Sequence, residues 1–222
     1  MLSNLITGPQ KQGDGQIIVQ RAGTQGDTIV SELHGRYFEA CLRGNLFTFG
    51  LSNTALVSQN AIATGLTATA QLVIGIYNPL GNPAVASILQ LILVQSTIAN
   101  TAVSPGGYMW VYSQGNGAIT TGSNPLNLRT LAVGSSAMKA FAISTATTGL
   151  SNNLAVLRAT GHGGLNAAGP ATAIAQAQTG TFETVDGALL VPPGGVLGVM
   201  NQVSTTTVSM SVGIVWEEIP IP

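Results

Sequence analysis

Hydrophobic and polar residues alternate with a period of two over much of this chain. The pattern is cleanest near the C-terminus, where Val208, Met210, Val212, Ile214 and Trp216 fall on one side of an extended chain and Ser209, Ser211 and Gly213 on the other, as in a strand with one buried face. Two shorter apolar runs, 189–191 and 196–200, precede it and are separated by Pro192-Pro193-Gly194-Gly195. Proline has no amide hydrogen for a ladder and glycine tolerates positive φ, so these four residues predict a corner, not strand interior. Ser204 to Thr207 supply a turn, and Ala188 to Trp216 reads as the last hairpin of the fold.

Upstream, Asn45 to Phe49, Thr69 to Tyr77, Ser87 to Thr97, Tyr108 to Tyr112, Ala137 to Ser144, Asn153 to Ala159 and Thr181 to Val185 read as further strands. Breakers stand between them: Asn78-Pro79, Gly81-Asn82-Pro83, Gly106-Gly107, Gly115-Asn116-Gly117 and Gly122-Ser123-Asn124-Pro125. Between Gly161 and Gly180 the side chains are too small to build a core, which predicts a long loop. Roughly eight to ten strands with turns between them predict an all-β fold, a jelly-roll-like antiparallel β-sandwich over residues 45–222.

Residues 1–44 have a different character and are expected to form an extended N-terminal arm with a short linker element. Glycine and glutamine dominate up to about residue 27, around one β-prone run, Ile17-Ile18-Val19. Further on, Glu32, Arg36, Glu39 and Arg43 recur at spacings of four, three and four, which places them on one face of a short helix as two i,i+4 ion pairs. Asp27 would cap that helix and Gly35 would weaken its middle, so a pair of short strands is the alternative.

Charge is sparse: 7% of the 222 residues are Asp, Glu, Lys or Arg, against about 25% in an ordinary soluble protein. Gly44 to Leu128 contain no charged residue and no histidine. A formal net charge of -1 leaves no basic footprint for nucleic acid. The mean hydropathy of +0.38 raises the question of membranes. The most apolar segment, Ala84 to Ala99, is interrupted by Gln90 and Gln95 and is shorter than the ~20 residues of a spanning helix. The start of the chain lacks a basic region and a long apolar run, so neither a secretory signal nor a membrane partner is expected. The single Cys41 excludes an internal disulfide.

Candidate chemistry is thin, and no enzyme activity, cofactor or metal is expected. Gly161-His162-Gly163-Gly164 has the look of an oxyanion loop, but no Gly-x-Ser-x-Gly elbow accompanies it, which favours a surface loop. His34, His162 and Cys41 are too dispersed for a zinc spacing. Glu217 and Glu218 point to opposite sides of a strand and read as solvated charges at its end, not as a glycosidase pair. Tyr108, Trp110 and Tyr112 share one strand face, which suits a core or a subunit seam better than a sugar platform.

Two stretches resemble a group of tailed-bacteriophage virion proteins: Gly26-Asp27-Thr28-Ile29-Val30-Ser31-Glu32-Leu33-His34-Gly35-Arg36-Tyr37-Phe38-Glu39-Ala40 with Arg43-Gly44-Asn45-Leu46-Phe47, and Leu189-Leu190-Val191-Pro192-Pro193-Gly194 with the closing Trp216-Glu217-Glu218. The resemblance implies a jelly-roll structural protein, a decoration or cement protein on the capsid surface, made in the host cytoplasm and displayed as a homo-oligomer, a trimer. Its partners would be the major capsid protein or other virion proteins. A receptor- or glycan-binding module of a tail or fibre is the alternative. The assembly contacts expected from these readings are Ile17, Ile18, Val19, Glu32, Arg36, Tyr37 and Phe38.

Overall fold

The computed structural model of the chain describes residues 35–55, 72–98, 107–116, 122–142, 154–162, 180–202 and 208–221. The chain divides into two units, Met1–Glu39 and Ala40–Pro222, and every described strand belongs to the second. The one helix among the described residues, α1 (Phe38–Arg43), is six residues long. Gly35 precedes this helix instead of lying within it, and Phe38 N–H donates to Gly35 O at 2.9 Å. The helix ends at Gly44, whose φ of +79° costs a residue without Cβ little. Gly44 N–H bonds Cys41 O at 2.9 Å and Asn45 N–H bonds Ala40 O at 3.0 Å, the paired closure of a Schellman motif that turns the chain into the first strand.

Among the described residues eleven strands follow: β1 (Leu46–Ala55), β2 (Ile74–Tyr77), β3 (Ala84–Ile98), β4 (Gly107–Ser113), β5 (Leu126–Asn127), β6 (Lys139–Ala142), β7 (Ala155–His162), β8 (Gly180–Thr184), β9 (Leu190–Val191), β10 (Val196–Asn201) and β11 (Val208–Pro220). They form two antiparallel sheets. Sheet 1 has the order β5-β1-β11-β3-β8, with β9 also on β3, and sheet 2 the order β6-β2-β10-β4-β7.

When the short β5, β6 and β9 are set aside, the pairing has one logic. The first of the remaining strands pairs with the last (β1 with β11), the second with the seventh (β2 with β10), the third with the sixth (β3 with β8) and the fourth with the fifth (β4 with β7). The chain is therefore one long antiparallel ribbon folded back on itself, then wound until β11 meets β3 and β10 meets β4. This is the jelly roll, and the expected all-β sandwich is the observed fold.

The winding corrects one expectation. The segment 188–216 is not a hairpin: β10 lies in sheet 2 between β2 and β4, whereas β11 lies in sheet 1 between β1 and β3. Alternation and turn residues specify strands and a reversal of the chain, but not which sheet each strand joins. The corner itself forms as expected, with Gly194 at φ +77°. Gly194 N–H bonds Asn78 O at 2.8 Å, and the buried Asn78 amide donates to Ala84 O and Val191 O, each at 2.8 Å. One asparagine thus ties the corner to the β2–β3 connection and satisfies carbonyls that would otherwise be buried unpaired.

The main core fills the space between the sheets. Phe47, Ile88, Leu91, Met210, Ile214 and Trp216 from sheet 1 meet Ile74, Ile76, Trp110, Leu197 and Val199 from sheet 2. Sheet 2 is also covered on its outward side, where Leu72, Tyr77, Val111, Phe141, Leu154, Val196 and Met200 make a second buried cluster. Burial on both faces explains why β10 reads as an almost unbroken apolar run, Val196-Leu197-Gly198-Val199-Met200. One row on this outward side runs Phe141, Gly75, Gly198, Val111 across four strands. Its two glycines form a trough that Leu72 fills: a Cβ on Gly75 or Gly198 would lie 2.6 or 2.7 Å from Leu72 Cδ1.

Candidate assembly surfaces

Three of the seven residues expected at an assembly contact lie within the described part of the chain. Arg36, Tyr37 and Phe38 form the entry to α1, with the Arg36 guanidinium carbon 5.6 Å from the centroid of the Tyr37 ring. That spacing suits a cation–π contact. Phe38 is 40% exposed. Ile17, Ile18, Val19 and Glu32 lie outside the described residues, and with Glu32 goes one of the two expected i,i+4 pairs.

The β-sandwich presents a surface that the sequence reading did not single out, the outward face of sheet 1. Phe49, Leu51, Met210, Val212, Leu91 and Leu93 point inward to the core, so the residues between them point out. One outward row reads Gly50, Gly213, Ile92, Phe182 across β1, β11, β3 and β8, and the next reads Thr48, Val215, Gln90, Thr184. Beyond the first row stand Ser211, Val94 and Gly180. None of these residues is charged. Ile92, Val94 and Phe182 are 36%, 39% and 63% exposed. The signal was present in the sequence as the small and apolar residues alternating with the core positions of β3 and β11, but only strand register brings them into one face.

The ionisable groups that matter structurally are two glutamates, each bound to a core tryptophan. Trp110 Nε1–H donates to Glu183 Oε2 at 2.9 Å, and Arg158 Nη2 donates to Glu183 Oε1 at 2.6 Å. Glu183 on β8 therefore fastens β4 and β7 of sheet 2 to the edge of sheet 1. Such a half-exposed ion pair is worth at most about 1 kcal/mol by itself. Its use is to satisfy the indole of a ring that is fully buried.

Glu218 corrects a second expectation. It is a partly buried group and not a solvated charge at the strand end: Ser136 Oγ–H and Trp216 Nε1–H both donate to its Oε1, the latter at 3.4 Å. The period of two explains why, since residue 218 shares the inward side of β11 with Trp216. Burial raises the Glu218 carboxyl above its ordinary pKa, and the two hydrogen bonds offset this only in part. A raised value means that the folded protein holds the proton more tightly than the unfolded chain. Stability is therefore greatest below the ordinary value of 4.5 and declines as pH rises from there through the folded value. Glu218→Gln keeps the acceptor and removes the charge, so its urea midpoint should gain on the wild type between about pH 4 and pH 7. A difference that stays constant across that range would remove Glu218 as the titrating group.

The remaining candidates are placed as follows. Tyr108 and Trp110 are buried in the core and offer no ring face to a sugar. The Tyr108 hydroxyl meets Met210 Sδ at 3.4 Å, and burial pushes its phenol well above the usual range. Gly161 and His162 end β7 instead of opening a loop, while Gly163 and Gly164 lie outside the described residues. Among the described residues no three His, Cys, Asp or Glu side chains converge as a metal site would need, and no helix is long and apolar enough to cross a membrane. Comparisons with protein-family models, with curated proteins and with solved structures find no match to this chain.

Proposed function

We propose that this protein is a structural component of a tailed-bacteriophage virion, a decoration or cement protein that binds the head as a homo-oligomer and stabilises it. The observation that carries the reading is the pairing of a jelly-roll sandwich with a long span, Gly44 to Leu128, that contains no charge. A lone subunit with so little charge has little to keep copies apart, and the outward face of sheet 1 adds exposed apolar side chains to that surface. The resemblance of residues 26–40 with 43–47, and of 189–194 with 216–218, to phage virion proteins supplies the location, on the capsid surface after synthesis in the host cytoplasm. In this reading the work is mechanical. The sandwich is the body, and Ile17-Ile18-Val19 in the N-terminal arm adds a strand to an edge of the major capsid protein.

Deleting Met1 to Gly26 tests it. The shortened protein should keep a β-type circular dichroism spectrum and its oligomeric state, yet no longer co-sediment with shells stripped of the protein, to which the full chain binds. Undiminished binding of the shortened chain would exclude the arm as the attachment, and failure of the full chain to bind would exclude the virion reading.

A further inference from the structure

The two sheets carry the same device on their outward faces, and the described residues fill one copy of it. In sheet 2 the row Phe141, Gly75, Gly198, Val111 sets two glycines side by side between large residues, and Leu72 of the same chain occupies the trough. In sheet 1 the row Gly50, Gly213, Ile92, Phe182 also sets two glycines side by side, with two large residues next to them. Among the described residues, a Cβ on Gly50 would meet only Val212 O and Gly213 Cα, and one on Gly213 only Ile92. These are neighbours within the sheet, so no described residue from another layer lies in this trough. The filled example shows what it takes, a branched or bulky apolar side chain.

The geometry points to a second copy of this chain as the occupant, packed face to face through the outward side of sheet 1 about a two-fold axis that runs along the strands between β11 and β3. That axis sets β11 against β3 of the second copy and β1 against β8. Gly213 then receives Ile92 of the second copy and Gly50 receives Phe182, while the reciprocal contacts form on the other side, as an isologous interface requires. In the adjacent row Val215 faces Gln90 and Thr48 faces Thr184. Charge fits as well: the three rows contain no ionised group, so two copies bury none unpaired, whereas a charged partner would leave its own charges without counterparts. Four strands about 4.8 Å apart, each contributing about five residues of 3.3 Å, give a footprint of roughly 300 Å² per copy. That is well below the ~800 Å² per partner of a standard interface. The pair is therefore reversible in solution and is reinforced where many copies are held side by side.

This inference deepens the homo-oligomer part of the proposed function and says nothing of the shell. Sedimentation velocity of the full chain over a range of micromolar concentrations should show a monomer–dimer equilibrium. Phe182→Lys should weaken it about tenfold or more. Gly213→Ala should weaken it too, although its new Cβ meets Ile92 at an ordinary 3.8 Å and leaves the monomer as stable as before; a merely structural glycine would not behave so. Val156→Lys, on exposed β7, is the control and should change nothing. A wild type that stays monomeric, or that forms a trimer, overturns the two-fold pairing, as does equal weakening by Val156→Lys. Shell binding by such a wild type leaves the virion reading standing, and an intact dimer that ignores shells does the reverse.

Discussion

Trp216→Ala is expected to lower the stability of the sandwich by about 3–5 kcal/mol, the range for deleting a large buried aromatic side chain. Three losses combine at this position. The ring is fully buried on the central strand of sheet 1, so its removal opens a void that the β1 and β3 ladders on either side keep from closing. Phe47, stacked on it at 6.2 Å between centroids, loses its partner. Glu218 loses one of its two donors while remaining partly buried. Urea unfolding followed by far-ultraviolet circular dichroism gives the difference directly, and an unchanged denaturant slope would show that the unfolded reference is the same. Trp216→Phe separates the terms, since it refills much of the void without restoring the indole donor. A loss below about 1 kcal/mol for the alanine variant, the size expected at a tolerant surface position, would mean that the ring is not part of the core.

Gly198→Ala is expected to destabilise by about 1–3 kcal/mol or more through overpacking, although it adds a single methyl group. The added Cβ would sit 2.6 Å from Ile74 O, 2.7 Å from Leu72 Cδ1 and 2.9 Å from Gly75 Cα. Leu72 can turn away, but the other two are atoms of the adjoining strand, so β2 and β10 would have to separate. The companion variant Leu72→Ala removes the side chain that lies over the trough. If backbone crowding dominates, Gly198→Ala costs as much in the Leu72→Ala background as in the wild type; if the clash is with Leu72 alone, that cost disappears there. Thermal unfolding of the four proteins completes the cycle, and a Gly198→Ala protein as stable as the wild type would refute the close approach.

Much of the strand content was legible in the sequence, because a strand with one wet face writes its period directly into side-chain polarity. The expected strands at Ser87 to Thr97, Tyr108 to Tyr112 and Val208 to Trp216 correspond to β3, β4 and β11. The corner at Pro192 to Gly195 was legible for a different reason, the backbone chemistry of proline and glycine. What could not be read was partnership. β10 and β11 follow each other in the chain and look like a hairpin, yet each prefers a sheet whose other strands come from far away in sequence. The two-residue strand β5 was invisible, since two residues carry no period, whereas β9 falls within the short apolar run 189–191 before the corner.

The candidate assembly surface was legible to a smaller degree, and the reason is again register. Gly50, Gly213, Ile92 and Phe182 belong to four strands, and nothing in their sequence neighbourhoods links them. Only the ladder pairings put them in one row. Glu218, by contrast, was readable: two residues after an inward tryptophan on a regular strand is an inward position, and the bland assignment to a solvated end overlooked it.

The ribbon pairing of β1 with β11 has a consequence in time. β11 leaves the ribosome after the ten described strands before it, yet it occupies the middle of sheet 1, between β1 and β3. Until it arrives, no ladder joins β1 to β3, and the apolar sides of Phe47, Leu91 and Leu93 lack the Met210, Ile214 and Trp216 that cover them in the finished core. Sheet 1 therefore cannot be completed before β11 has emerged, and the closing step joins strands that lie far apart in the chain. Folds dominated by such distant pairings form in milliseconds to seconds, not microseconds. For that interval the nascent chain carries unpaired strand edges and little charge, so its yield depends on how quickly its own β11 arrives compared with a neighbouring chain.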